Sequence, residues 1–584
     1  MSKSQAGSQT ATRVFFGIAI FFFVAITFQL INVQIIQGAD LAEQGRSVRM
    51  HAATIDPRRG DIVDANGSTF ATTVETYHIA VNQVNIANTK VWDIDEEGNR
   101  TQIGAGPVFV AQKLAPVLQM DEAEVGGQLI GNSTYHYLKK DVDVETWRKV
   151  RALQIYGIEW EPSYKRVYPN DTVAAAIIGT IDAEGKGSSG LELTQDAKLT
   201  GQPGRMVQEY GAYGEVIPGG KTISEPAVQG ATVHTTLRLD LQHSAEEIVN
   251  KAVETYSAQW GSAIVQEIST GKILAMAESG NKPITNQPQP VKSVQYSVEP
   301  GSIGKILTFA TALDEAKITP VTPVLSQYKY TTPDGQEFQD SHEHPDYTLT
   351  ATGVLAESSN TATVRVGSMV TDDERYKLMK AMHLGEPIDI GLPGEAPGIL
   401  AEPSQWDGRQ RYTTMFGQGY AVTQLQQVGM MAAFANGGVY QPARLIEGWT
   451  SPDGTYEAAP RREPERALDA DTAKTVLTML ESTTADEEGT GYTFNVEGYR
   501  IAAKTGTAEV FENGLTIGTA TTVAGVVPAD KPVIAVSVIL YLPKYGILAA
   551  QSAGPLFKSI VTESVQNLGI PGSSEEAVLY PMKP

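Results

Sequence analysis

The 584-residue chain contains no cysteine. Disulfides, thiol nucleophiles, iron–sulfur clusters and cysteine-ligated zinc are excluded together. Positive charge is scarce: 45 lysines and arginines face 67 aspartates and glutamates, for a net charge of −22. Such a surface lacks the basic footprint that nucleic acid requires, so no nucleic-acid partner is expected. Long hydrophobic runs are missing with one exception. From Val14 to Ala39 no residue is charged, and Val14 to Phe28 is almost wholly apolar. About 20 apolar residues span a bilayer as a helix. Lys3 and Arg13 precede the run with no acid between them, which favours a cytoplasmic N-terminus. The run is long for a signal peptide, and no Ala-x-Ala-like site follows closely. The expectation is a cytoplasmic tail at 1–13, an uncleaved transmembrane helix at 14–36, and everything beyond it outside the cell membrane.

The remaining composition, 41% hydrophobic and 19% charged, suits packed globular domains. Residues 37–231 read as mixed strands and short helices broken by glycine, with Asn66-Gly67 a hairpin turn signal. Turn residues cluster at Gly201-Gln202-Pro203-Gly204 and Pro218-Gly219-Gly220, as at a domain edge. Gly185-x-Gly187-x-x-Gly190 matches a dinucleotide glycine pattern only formally, because no strand–helix unit frames it. It reads as a glycine-rich turn.

From 232 to 570 the pattern changes. Val233 to Leu237 alternates like a strand, and Leu241, Ala245, Ile248, Val249 and Ala252 recur at helical spacing. Ser262–Ile268 and Lys272–Ala277 form a hairpin around Ser269-Thr270-Gly271. Thr521–Val527 and Val533–Leu542 form another strand pair late in the chain. Strands at both ends with helices between give one α/β domain (α+β in order of elements). Residues 571–584 read as a loose tail.

Four Ser-x-x-Lys tetrads occur. Ser269-x-x-Lys272 crosses a hairpin turn, Ser279-x-x-Lys282 lies in a Gly/Asn/Pro loop, and Ser326-x-x-Lys329 precedes extended chain. Ser302-Ile303-Gly304-Lys305 differs. Pro300-Gly301 ends what precedes it, and Ile306, Leu307, Phe309, Ala310 and Leu313 follow at helical spacing. The Lys305 amine is then within reach of the Ser302 hydroxyl on one helical face. A serine is a poor nucleophile until a neighbouring base takes its proton. Burial and the positive end of the helix dipole lower a lysine's pKa toward that role. The backbone N–H of Ser302, at a helix start, is available to an oxyanion. Gly304 costs helix stability, about 1 kcal/mol, and its missing side chain leaves room for a ligand.

Two further motifs follow in order. Ser358-Ser359-Asn360 reads as a loop in which Ser358 passes a proton between Lys305 and a leaving amine, and Asn360 offers a donor and an acceptor to a substrate amide. Lys504-Thr505-Gly506-Thr507 lies between strand-like Tyr499–Ala503 and Ala508–Phe511. A strand edge pairs with an extended peptide through main-chain bonds. Gly506 allows close approach, Lys504, Thr505 and Thr507 suit a substrate carboxylate, and the Thr507 N–H is the second oxyanion donor. His342-Glu343-His344 could chelate a metal, but no third ligand is evident. Neither a metal nor a cofactor is expected.

The ordered triple resembles the active-site motifs of the penicillin-binding proteins, specifically the membrane-anchored class B transpeptidases of peptidoglycan synthesis. The likeness extends to Arg59-Gly60-Asp61-Ile62 with Asp64-Ala65-Asn66-Gly67, Arg166-x-Tyr168-Pro169 and Gly190-Leu191-Glu192. It extends also to Gly417-Gln418-Gly419 with Thr423-x-x-Gln426, and to Ala435-Asn436-Gly437-Gly438. The chain departs from the family at Ile303-Gly304, where Thr-Phe is commoner, and at Ala503, where glycine often stands. The resemblance implies an elongated pedestal at 37–231 and a β-lactamase-like domain at 232–570, with an antiparallel sheet flanked by helices. It implies a D,D-transpeptidase that cross-links stem peptides through a Ser302 acyl-enzyme in division or elongation, is acylated by β-lactams, and docks a polytopic glycosyltransferase and other wall-synthesis proteins. The alternatives are a β-lactam-hydrolysing or sensing protein, a D,D-carboxypeptidase, and a non-catalytic scaffold.

Overall fold

A computed structural model describes residues 3–94, 99–211, 217–284, 287–544 and 546–584. The chain forms two compact units, one of the residues up to Arg58 with Gly201–Gln229, the other of Arg59–Thr200 with Gly230–Pro584. In the first, a helix from Lys3 to Ile31 continues through a π turn at Asn32–Ile36. Its phenylalanines face outward, Phe15 at 71% and Phe23 at 74% exposure. Ala11–Ile36 is the one stretch among the described residues long and apolar enough to cross a bilayer, with a mean hydropathy of 2.6. A helix apolar all round and uncovered by protein supports a membrane anchor. The same unit holds a three-stranded antiparallel sheet of Met50–Ile55, Gly204–Glu209 and Thr222–Glu225, with Gly204–Glu209 central.

In the second unit, the hairpin at Asn66-Gly67 forms as the sequence implies. Ile62–Val63 pairs antiparallel with Thr69–Val81, Gly67 takes φ +88°, and the Asp64 carboxylate accepts the N–H groups of Asn66 and Ser68. Thr69–Val81 also pairs with His136–Asp143 and Ile158–Val167. On the other side Ile62–Val63 pairs in parallel with Thr232–Thr235, which continues to Ile446–Thr450. One sheet thus joins segments from both sides of residue 232. Below it, the buried Glu192 carboxylate accepts from Arg59 Nε and Arg166 Nε, each at 2.7 Å. A buried carboxylate requires such partners, which gives these motif residues a structural role. The Gly185–Gly190 turn packs on its own chain: a Cβ at Gly187 would stand 1.9 Å from the Glu192 carbonyl, leaving no phosphate cradle.

The second sheet has five antiparallel strands: β1 (Trp260–Glu267), β2 (Ile273–Glu278), β3 (Ala502–Glu512), β4 (Leu515–Val527) and β5 (Ile534–Tyr541), in the order β2-β1-β5-β4-β3. The associated helices are α1 (Leu239–Tyr256), α2 (Lys305–Asp314), α3 (Ala351–Glu357), α4 (Asn360–Gly367), α5 (Gln424–Ala435), α6 (Ala470–Ala485) and α7 (Ala553–Asn567). Ala263 and Val265 face a core shared with Leu241, Val249, Leu556 and Phe557. Ile264 faces the other core, with Phe309, Val428 and Phe434. A sheet covered on both faces explains why these strands read as continuous apolar runs rather than alternation. The α/β architecture read from the sequence is the one observed.

Residues 571–584 form neither helix nor strand, yet they are not loose. Thr350 donates its N–H to the Met582 carbonyl at 3.0 Å and its hydroxyl to that of Pro581 at 2.6 Å. Met582 is buried, and Tyr580 packs against the main core. Close approach is possible because α3 carries Gly353 there; a Cβ would meet the Met582 carbonyl at 2.1 Å. The tail therefore bears on the helix that ends at Ser358. Thr350→Val removes both this hydroxyl bond and the cap that Thr350 gives to Gly353, at a cost of about 2 kcal/mol. The expected result is a lower melting temperature; an unchanged one would show the tail to be unattached.

Candidate active site

Pro300 and Gly301 lead into a 3-10 turn, Gly301–Gly304, before α2 begins at Lys305. Ser302 is thus presented on the tight first turn rather than within the α-helix. Glycines let three backbones converge here. Gly301 has φ +55°, and a Cβ on it would stand 2.6 Å from the Thr507 carbonyl oxygen. A Cβ on Gly506 would meet the Pro300 carbonyl at 2.5 Å and Thr522 Oγ1 at 2.4 Å. Gly506 therefore admits the chain's own turn, where the sequence reading had it admit the substrate. The consequence is that Ser302 lies against the Thr505–Thr507 segment of β3, the edge strand of its sheet. An edge strand has main-chain groups free for an extended ligand.

Gly304 leaves no cavity for a ligand, contrary to expectation. Its missing Cβ would lie 2.4 Å from the Tyr420 hydroxyl and 2.5 Å from Gly417 Cα, so protein already fills that space. Gly417, at φ +88°, accepts the Gly301 N–H at 2.9 Å. The Gly417-Gln418-Gly419 loop is therefore the wall behind the serine. Glu299 accepts the Gly419 N–H at 2.8 Å, fastening the loop to the chain just before Ser302. Thr423 and Gln426 form a capping box at the start of α5, and Asn436, Gly437 and Gly438 end that helix. Ala503 is accommodated by its cross-strand partner Gly525, where a Cβ would meet the Ala503 methyl at 2.6 Å.

The buried amines converge on one hydroxyl. Lys305 Nζ donates to Ser358 Oγ at 3.1 Å and also to the Ser358 carbonyl. Lys504 Nζ reaches the same Oγ at 3.0 Å, and touches the Thr505 carbonyl at 3.2 Å and its hydroxyl at 3.3 Å. Ser358 ends α3 in the left-handed region at φ +68°, a strained setting for a serine, and this turns both its oxygens toward the lysines. The expected contact between Lys305 and Ser302 is not made. Ser302 Oγ has no hydrogen-bond partner among the described residues, because Lys305 is drawn to the Ser358 carbonyl at the helix end. Both lysines are fully buried. Burial pushes the Lys305 amine down to about 7, with Asp340 opposing the shift. Burial and the neighbouring Lys305 push Lys504 well below its ordinary value. Lys305 can therefore accept and return a proton near neutrality, beside a hydroxyl that it shares with Lys504.

Asn360 opens α4, half-buried, with Nδ2 donating to the Gln339 carbonyl at 3.2 Å. Thr507 is exposed on β3, and Thr505 Oγ1 donates to Thr490 at 3.4 Å. Hydrogen bonds thus link Lys305, Ser358, Lys504 and Thr505, and Gly506 and Thr507 pack against the turn that carries Ser302, whereas the Asn360 side chain is held by Gln339. The rival tetrads make other contacts. Lys272 pairs with Glu447 at 2.5 Å, Ser279 Oγ accepts the Gly261 N–H, and Ser326 Oγ donates to Ser359. Among the described residues no group of three ligating side chains could hold a metal, and His344 instead pairs with Asp340 at 3.1 Å. Sequence reasoning missed Asp340, Tyr420 and Thr490, which belong to no short motif.

The sequence matches the family model for the penicillin binding protein transpeptidase domain over residues 261–562, and that for the penicillin-binding protein dimerisation domain over 54–235. Penicillin-binding protein PbpB of Mycobacterium tuberculosis is 32% identical, covering 96% of this chain and 85% of its own length. Peptidoglycan D,D-transpeptidase FtsI of Escherichia coli is 28% identical, covering 92% and 88%. Among solved structures, a peptidoglycan synthetase from Bifidobacterium adolescentis superposes with a TM-score of 0.74 at 33% identity, over 92% of this chain and all of the other. Penicillin binding protein 3 from Mycobacterium tuberculosis in complex with aztreonam gives a TM-score of 0.68 at 26% identity, over 91% and all of it.

Proposed function

The chain belongs to the class B penicillin-binding proteins, and from that premise we propose how its residues carry out D,D-transpeptidation. It is a serine-type peptidoglycan D,D-transpeptidase of cell division, and its family binds β-lactams. Ser302 Oγ attacks the carbonyl of the penultimate D-alanine of a donor stem, and its proton passes to neutral Lys305. The N–H groups of Ser302 and Thr507 hold the oxyanion. The C–N bond then breaks, and the departing D-alanine amine takes the proton back through Ser358. An amine of a neighbouring stem attacks the Ser302 ester, gives its proton to the same relay, and frees the serine as the cross-link forms. Lys504, Thr505 and Thr507 bind the donor's terminal carboxylate, Gly506 keeps β3 close to the serine, and Asn360 binds a stem amide.

The observation that carries this reading is the Ser358 hydroxyl bridging two buried amines, at 3.1 and 3.0 Å, one of which opens the helix that follows Ser302. It favours acyl transfer over a non-catalytic scaffold, which has no need of two buried amines around one hydroxyl. The test is mass spectrometry after exposure to penicillin. One adduct on the peptide holding Ser302, lost in Ser302→Ala, is expected; an adduct on Ser269, Ser279 or Ser326 would sink the assignment.

The pedestal occupies 37–231 and the transpeptidase domain 232–570, with a tail at 571–584. The N-terminal helix anchors the protein with residues 1–13 in the cytoplasm and the enzyme outside, as Lys3 and Arg13 favour. The pedestal docks a polytopic glycosyltransferase that supplies glycan strands.

A further inference from the structure

We infer that Asp340 is a positioning residue for this reaction: oriented by His344, it fixes the Ser358-Ser359-Asn360 loop and so holds Lys305 and Ser358 in register. The inference rests on the transpeptidase reading above.

Asp340 is 6% exposed and accepts four hydrogen bonds. Oδ1 takes the N–H groups of Asn360 at 2.5 Å and Thr361 at 2.9 Å. Oδ2 takes Ser359 Oγ at 2.7 Å and is paired with His344 Nε2 at 3.1 Å. The first N–H groups of α4 would otherwise be orphaned. Asp340 satisfies two, and Ser359 Oγ accepts a third from Ala362 at 3.1 Å. The carboxylate therefore secures the two residues after Ser358 by main chain and side chain together. Since Ser358 sits at φ +68°, a conformation of order 1–3 kcal/mol above relaxed backbone, something beyond the serine must hold it. α3 fixes it on one side and the Asp340 cluster on the other.

The histidine gives the unabsorbed His342-Glu343-His344 motif a purpose. His344 is held from both ring nitrogens, Nδ1 at 2.8 Å from the Pro345 carbonyl and Nε2 on Asp340. Both being donors is the protonated form. The groups facing it are Asp340, Tyr347 with its Glu357 partner, Tyr328 and His342. Burial works against the charged ring, but the Pro345 carbonyl, Asp340 and Glu357 outweigh it, and the net shift is upward. The charged groups facing Lys305 are Asp340 and Lys504. Asp340 favours its protonated form, so Asp340 influences both where the proton relay stands and when Lys305 is free to act.

The test uses the full-length protein in detergent and a fluorescent penicillin, reading the second-order acylation rate against pH. Lys305 acts as a base only when neutral, so the rate should rise through an acid limb. In Asp340→Asn the plateau should fall about tenfold or more, and the limb should move to lower pH by at least about half a unit, because a negative charge beside the amine is gone. His344→Gln keeps an N–H for Asp340 but removes the ring charge, so its limb should move upward. A purely structural role would lower the plateau and leave the limb in place; that result, or unchanged rates in Asp340→Asn, overturns the inference. If Asp340→Asn does not fold, His344→Gln decides alone: an upward limb supports the inference and an unmoved limb overturns it. Failure of the wild type to acylate at Ser302 would overturn the transpeptidase reading instead, so the two failures are distinguishable.

Discussion

Lys305→Met should reduce acylation by penicillin about 1,000-fold or more while leaving the protein folded. The size follows from the role: a positioned general base contributes about 100- to 10,000-fold, and Lys305, which opens the helix just after Ser302, is the base proposed for it. Survival of the fold follows from burial. Lys305 is 0% exposed, on a helix whose Ile306 and Phe309 belong to the main core, and methionine fills the same slender volume without an amine to desolvate. The linkage has a definite sign. The amine is pushed down to about 7 in the folded chain, whereas an unfolded lysine sits near 10.4. Between those values the unfolded state binds more protons, so this lysine's contribution to stability grows as pH rises. The melting temperature of the wild type, relative to Lys305→Met, should therefore climb from about pH 7 to about pH 10. A difference that stays flat over that range would show the amine to keep its charge in the fold. Acylation by the wild type should rise with pH through about 7, since only the neutral amine takes the serine proton. A rate flat across pH 6 to 8 would assign the base elsewhere.

Much of this centre was legible because each motif is local. Pro300-Gly301 before an apolar helix marks where Ser302 stands, and the alternation around Lys504-Thr505-Gly506-Thr507 marks a strand; both depend on neighbours within a few residues. The hairpin at Asn66-Gly67 and the anchor helix are legible for the same reason. Asp340 was not. It acts on residues 19 to 21 positions away, Ser359 to Thr361, and nothing beside it in the sequence distinguishes it from a solvated loop acid. The tail was misread because its composition is that of a free end, while what fixes it is Thr350, over 200 positions earlier. The mixed sheet was invisible too: the pairing of Ile62–Val63 with Thr232–Thr235 is parallel and distant, and no local turn encodes it. Gly304 shows a subtler limit. Its lack of a side chain was legible, but whether ligand or protein fills the space depends on a loop more than 100 residues further on.

That loop makes Gly304→Ala the second large-effect experiment. In an ordinary helix the substitution stabilises by about 1 kcal/mol; here the sign should reverse. The new methyl would stand 2.5 Å from Gly417 Cα and 2.4 Å from the Tyr420 hydroxyl. Neither can step aside cheaply. Tyr420 is a rigid, buried ring. Gly417 is pinned from the other side, where its own position, extended by a Cβ, would lie 1.7 Å from the Gly301 carbonyl. Relief must come from the backbone, by separating Gly417 from Gly301 and losing their 2.9 Å hydrogen bond. Gly301 precedes Ser302 and abuts Thr507, so the nucleophile and the proposed oxyanion donor shift together. A misplacement of about 1 Å costs on the order of 100-fold in rate, and overpacking costs about 1–3 kcal/mol. Gly304→Ala should therefore acylate about 100-fold more slowly and melt at a lower temperature. Gly127→Ala is the control: it lies in a helix with no atom within 4 Å of the added methyl, and should leave acylation unchanged. Acylation by Gly304→Ala within threefold of the wild type would mean that the Gly417 loop yields, and that the wall behind Ser302 is softer than its packing implies.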